Sequence, residues 1–422
     1  MAPMAPNKKI AMFALLVVIA VGAISCGGGS SAAPPVGTTV TVNFDGAPAA
    51  VAVQMGSGTW TAASLQGSKL TFTLPAGESR YAVAYVCPLN QVLNSETVME
   101  ATTQDSSPKG GCLLGPLGTQ AGNPMNTGAA TGAVDASAIP GASSVRIYGR
   151  LGVGFVAGVK GPFNVQMQQG TDDIAFVAGS LSRSVLAVKI LRLQTVPGAV
   201  NNGQTVVFAP SDETSYQAVS VTNIPTGFTV LGPTVYYGTS NGTSFSVGPL
   251  FSVVPPLPSS QYAVVPPSEG QANDKYLFSA SDIRSQNPPA VGSQSAFINM
   301  IAASATPVTL PLPPPLLYSP PTPAASPSFN VAYTGFAVST YSVALQWSSS
   351  DGSSNRLTVS ATPDYQAGES TMNVPDLVNL AGFLPRPPSG TTVTWTVILP
   401  RNKPQPTDPT EEVENDGAYT EP

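Results

Sequence analysis

The chain contains no histidine. That absence removes Ser-His-Asp and Cys-His catalysis, histidine metal ligation and the commonest general base. Charge is scarce as well. Lys, Arg, Asp and Glu make up 9% of the 422 residues, against about 25% in an ordinary soluble domain. The 17 basic residues form no stripe or cluster, so nucleic acid is excluded as an expected partner. Only three cysteines are present. No C-x-x-C pair, P-loop, G-x-G-x-x-G or EF-hand loop occurs, so no motif calls for a metal or cofactor.

Glycine (40) and proline (43) are abundant, and 42% of the residues are apolar. Valine, threonine, serine and alanine fill the rest. Short strands joined by Gly/Pro turns have this makeup, and helical domains do not. The expected class is all-β, with two or three β-sandwich domains.

The strongest local signal lies at the beginning. Lys8 and Lys9 precede an apolar run from Ile10 to Ile24, about fifteen residues long. A membrane-spanning helix needs roughly 20 apolar residues, whereas a secretory signal core needs fewer. The run closes with Ala23-Ile24-Ser25-Cys26, followed by Gly27-Gly28-Gly29-Ser30-Ser31 and Ala32-Ala33-Pro34-Pro35. Small residues before a cysteine resemble the lipobox of bacterial lipoproteins. Ala23 stands where leucine is commonest in that family. The resemblance implies a signal peptide over 1–25, a diacylglyceryl group on Cys26 and a lipidated tether over 26–37. It also implies an extracytoplasmic location in the cell envelope, held by the lipid. Gly27 in place of aspartate implies the outer membrane where the organism has one. Ala23 and Ser25 fit an ordinary secretory cut too, and an uncleaved anchor is a third reading of the same residues. The remainder resembles β-rich envelope lipoproteins in style, which brings no activity with it.

Cysteine parity agrees with export. With Cys26 taken by lipid, Cys87 and Cys112 remain as a disulfide pair. Two unreacted thiols are the alternative.

Alternating apolar residues place a small β domain at 38–105, with strands at Thr38–Phe44, Leu70–Leu74 and Tyr81–Val86. Residues 106–128 read as a linker or loop. A sandwich region of one or two units follows at 129–308, with Val185–Leu193 among its strands. An aliphatic residue, proline and glycine recur at strand ends: Leu74-Pro75-Ala76-Gly77, Ile139-Pro140-Gly141, Val196-Pro197-Gly198 and Ile224-Pro225-Thr226-Gly227. Proline stops the ladder and glycine takes the positive φ of a turn. The Pro-rich stretch 309–327 reads as a stiff spacer or a strand-crossing loop. Residues 328–402 read as a C-terminal sandwich similar to fibronectin-III or immunoglobulin domains. Within it, Tyr341, Val343, Leu345 and Trp347 share one strand face, and Asp351-Gly352 marks a hairpin turn. Pro375-Asp376 opens an expected helical turn. Residues 403–422 carry six acids and read as a disordered acidic tail.

Candidate chemistry is thin. Gly238-Thr239-Ser240-Asn241-Gly242 matches the nucleophile-elbow pattern, but Tyr236-Tyr237 before it and Ser244-Phe245-Ser246 after it predict a hairpin turn. Ser106-Ser107-Pro108-Lys109 matches S-x-x-K without the helix that motif requires. Asp172-Asp173 could serve glycosidic chemistry or calcium, and a polar turn is the plainer reading. Trp60, Tyr236 and Tyr237 are candidate ligand-facing aromatics, whereas Trp347 and Trp395 sit on apolar strand faces and belong to a core. The expected function is therefore a non-enzymatic binding or structural protein of the envelope. A glycan- or envelope-polymer-binding module, a protein-assembly role and a carboxylate-based hydrolase are the alternatives.

Overall fold

The structure, a computed structural model, describes residues 37–88, 93–105, 108–112, 127–168, 170–181, 184–196, 199–200, 205–248, 259–285, 292–324, 326–349, 351–401 and 409–421. Residues 1–36, which hold the expected signal peptide and all but the last residue of the expected tether, lie outside them, as do Ser106-Ser107 and most of the 106–128 stretch. The fold is all-β, with 57% of the described residues in strands and 2% in helix.

One twelve-stranded sheet runs through the molecule. From edge to edge its strands are Ser244–Ser246, Thr229–Gly238, Lys275–Ser285, Ser293–Ala302, Thr410–Thr420, Thr392–Pro400, Tyr341–Ser348, Ser354–Ala361, Leu93–Thr102, Arg80–Pro88, Ala50–Met55 and Thr61–Ala62. Smaller sheets pack on its faces. Thr39–Asp45 pairs with Lys69–Thr73 and Lys109–Gly111. Ser215–Thr222 pairs with Ser259–Val264 and Val308–Pro311. A four-stranded sheet orders Val153–Val156, Ser144–Tyr148, Gly170–Gly179 and Val185–Val196. It packs against a second sheet built on Thr127–Asp135 and Lys160–Gln168.

Strand periodicity explains these elements. Val343, Leu345 and Trp347 are buried, as are Leu357, Val359 and Ala361 opposite them and Val393, Trp395 and Val397 on the next strand. Together they fill one core. Three of the four recurring turns behave as read, and Pro197-Gly198 of the other lies outside the described residues. Gly77, Gly141 and Gly227 all have positive φ, and each turn closes with a hydrogen bond to the residue three back: Glu78 N to Pro75 O, Ala142 N to Ile139 O, Phe228 N to Pro225 O. At the Asp351-Gly352 hairpin, Gly352 N donates to Ser349 O and Asp351 accepts from Ser353 N.

Four expectations are corrected. The tail is not disordered where the structure describes it: Thr410–Thr420 is a strand inside the long sheet, paired on both sides. The C-terminal region is not a self-contained sandwich, because Ser354–Ala361 pairs in parallel with Leu93–Thr102 from the supposed N-terminal domain. Of the two readings of the Pro-rich stretch, the strand-crossing one holds and the stiff spacer does not. Val308–Pro311 is a strand, Leu312 and Leu316 are buried, and Leu316 O and Leu317 O accept from Gln294 Nε2 and Asn415 Nδ2. The helical turn lies at Pro363–Gln366, capped by Thr362 Oγ1, whereas Leu377–Phe383 form successive turns. Leu377 is nevertheless buried in the core, with Leu380 and Leu384 packed against it.

Cys87 and Cys112 are joined in a disulfide that ties the Arg80–Pro88 strand to the end of Lys109–Gly111. The bridge closes a loop with a sequence separation of 25. Replacing both cysteines by serine is expected to lower stability by about 3 kcal/mol in the chain-entropy model. Urea denaturation of the oxidised protein against the double variant measures it.

Candidate functional site

The densest group of buried charge is built on a strand irregularity. Where Gly170–Gly179 pairs with Val185–Val196, the register jumps from Asp172 opposite Gln194 to Ile174 opposite Leu191. Arg192 and Leu193 thus oppose the single residue Asp173, a bulge that re-aims the Arg192 side chain. Leu193 takes a left-handed φ of 50° to make the excursion. Its N–H donates to Asp173 Oδ1 at 2.9 Å.

Arg192 is the hub, with a side chain only 14% exposed. Nη1 donates to Asp173 Oδ2 at 3.0 Å, and Nη2 donates to Asp274 Oδ2 at 2.6 Å and to the Glu269 carbonyl. Asp173 also accepts from Asn241 Nδ2 at 3.1 Å, and its carbonyl accepts from Thr243 Oγ1. Asp274 accepts from Tyr237 Oη, Ser240 N and Gln271 N. Burial works to raise the Asp274 pKa, but the donors from Arg192, Ser240, Gln271 and Tyr237 outweigh it and hold the carboxyl below its ordinary value. Burial works to lower Arg192, and the two aspartates more than reverse it. Asp274 and Arg192 therefore both stay charged.

Two satellites flank the hub. Lys189 pairs with Asp212 at 3.0 Å, and Glu269 Oε2 accepts from Ile190 N at 2.6 Å. Arg150, half in solvent, lies 3.8 Å from Asp172 Oδ1. Asp172 Oδ2 is buried without a hydrogen-bond partner, and burial raises the Asp172 pKa.

The G-x-S-x-G segment is the hairpin turn between Thr229–Gly238 and Ser244–Ser246. Thr239 N donates to Thr243 O, and Gly242 N to Thr239 O. The turn presents Ser240 N and the Asn241 amide inward to Asp274 and Asp173. It is a clasp, not a strand-to-helix elbow. Asp172-Asp173 is not a polar turn. Both residues lie in a strand and are buried. The acids that sequence reading set apart from others in fact converge with Asp274, Glu269 and Asp212. The missing signal was the partner: Arg192 follows Asp173 by 19 residues, and Asp274 lies 82 beyond Arg192.

Of the candidate ligand-facing aromatics, Tyr237 is 4% exposed and spends its hydroxyl on Asp274. It is a core residue, which corrects the surface reading. Tyr236 is 41% exposed on the opposite strand face, beside Leu277. Trp60 is half-buried against the C-terminal core. Trp347 and Trp395 are buried in that core. Cys26 lies outside the described residues.

Among the described residues no group of three or more Asp, Glu or Cys side chains is arranged to hold a metal ion. No family model matches the chain, and no curated protein is similar to it.

Proposed function

We propose that this is a lipid-anchored protein of the bacterial cell envelope. It is held by a diacylglyceryl group on Cys26 and acts through binding or assembly rather than catalysis. The observation that carries this reading is the Cys87–Cys112 bridge. A structural disulfide belongs to an oxidising compartment, and its formation leaves Cys26 as the unpaired cysteine of the three. The flanking residues supply the rest: a basic start, an apolar run too short to span, and a Gly/Ser tether. Two acyl chains give the stable attachment that one chain does not. The non-catalytic part is supported by the ion pairs of Arg192 with Asp173 and Asp274, both of which are buried. A carboxylate hydrolase needs one acid ionised and one protonated in reach of water.

The test is fractionation of Cys26→Ala beside the wild type in the producing cell. The wild type is expected in membranes and the variant in the soluble extracytoplasmic fraction. Equal membrane retention of both would overturn the anchor.

A further inference from the structure

Two glutamates on the strand Leu93–Thr102 point into the C-terminal core. Glu96 and Glu100 lie on the same face as Val98, which is fully buried in that core. Glu96 is 3% exposed. Its neighbours in register are Val86 on one side and Leu357 on the other, both apolar.

What covers Glu96 is the excursion between the strands Ser354–Ala361 and Thr392–Pro400. This segment lays Leu377, Leu380, Phe383 and Leu384 on the core. Its end is pinned by a long-range hydrogen bond: Leu384 N donates to Glu96 Oε2 at 2.9 Å. The nearest cation does not reach the carboxylate in a salt bridge, because Arg386 is engaged with Asp376 at 2.8 Å and with Pro375 O. Arg386 and Asp376 are the charged groups of the excursion that act on Glu96, and they act with opposite sign. On the strand Ser354–Ala361 its facing residue is the uncharged Leu357. Glu100 shares its strand face, and Arg80 is the cation that acts on Glu100. Arg80 itself is held by the excursion, donating to Tyr365 O at 2.6 Å and lying over the Tyr365 ring.

We infer that Glu96 is a proton-operated latch, whose protonation seats the segment Val374–Leu384 on the core and whose ionisation loosens it. A carboxylate in an apolar nest without a contacting cation is costly when charged and inexpensive when neutral. Either form can accept the Leu384 N–H, so the contact survives protonation; the bond favours the ionised form, and the burial cost of the charge outweighs it. Burial raises Glu96 to about 7 from the ordinary 4.5, with the Leu384 hydrogen bond and Arg386 opposing. The closed form therefore holds a proton that the open form has lost. Closure is firmest at and below pH 4.5 and weakens as the pH rises towards 7, where the loss is complete. Extracytoplasmic domains meet the pH of their surroundings directly. An opened segment would bare Leu377, Leu380 and Phe383 to a partner.

Hydrogen exchange at the Leu384 amide tests the latch in the full-length protein, after correction for intrinsic pH dependence. Opening is expected to rise more than tenfold from pH 5 to pH 8 in the wild type. It should be flat in Glu96→Gln, which keeps an acceptor oxygen and has no charge to gain. A flat wild-type profile, or the same rise in Glu96→Gln, would overturn the proposal. A second measurement does not depend on the variant: ¹³C-carboxyl titration of Glu96 in the wild type. A midpoint near 7 supports the latch, and one near 4.5 contradicts it.

Discussion

Arg192→Met is expected to lower stability by about 3–5 kcal/mol. The figure is that for breaking a buried ion pair on one side only. It exceeds the value of the pairs themselves, because Asp173 and Asp274 would be left buried without their cation. Asp173 is fully buried and Asp274 nearly so. The acids would keep donors from Asn241, Leu193, Tyr237, Ser240 and Gln271, but lose their cation. Adding Asp173→Asn and Asp274→Asn to Arg192→Met should recover part of the loss, a coupling that independent sites would not show. Arg192→Lys should fall between, since one ammonium cannot bridge two carboxylates and a carbonyl with planar geometry. Urea unfolding of the four proteins measures the series. A cost below about 1 kcal/mol for Arg192→Met would mean that the hub is solvated and surface-like.

Removing residues 409–422 is expected to abolish cooperative folding. The strand Thr410–Thr420 lies between Ser293–Ala302 and Thr392–Pro400 and pairs with both. Its loss would turn one long sheet into two with raw inner edges, and such edges invite aggregation. Val413 is fully buried in the C-terminal core, and Glu411 reaches Arg401 in a salt bridge. Asp416 takes both the N–H and the hydroxyl of Ser293. An ordinary domain has only about 5–15 kcal/mol in hand, and these contacts together draw on most of it. Val413→Asp tests the same strand with the chain length unchanged and should lower the melting temperature sharply. A truncated protein with the wild-type melting transition would show that the strand is dispensable.

That strand shows where reading the sequence stops. Glu411, Val413 and Asn415 face the interior, whereas Glu412 and Glu414 face outward. The alternation is real, but only one inward residue is apolar, so the period is invisible in hydropathy. The inward Glu411 pairs with Arg401 and the Asn415 Nδ2 donates to Leu317 O, partners that only the fold brings near. The Pro-rich crossing is opaque for the same reason. Its role depends on Gln294 and Asn415 donating to its carbonyls, and proline composition alone says extended chain. By contrast, Tyr341–Ser348 and Ser354–Ala361 were plain from alternation, and the Pro/Gly turns from steric rules. In these places local chemistry and tertiary packing ask for the same residues. The charge hub was hidden by distance along the chain, with the acid pair legible and its arginine not connected to it. The G-x-S-x-G turn was readable as a hairpin, but not as the donor that holds the two aspartates.

The account as a whole stands on Cys26. Its most direct measurement is the intact mass of the protein extracted from the producing cell, with the mass of its N-terminal peptide. The account predicts that residues 1–25 are absent, that Cys26 is the first residue, and that it carries a diacylglyceryl group. It also predicts a mass two hydrogens below the reduced value for the Cys87–Cys112 bridge. A first residue other than Cys26, or an unmodified Cys26, would contradict it.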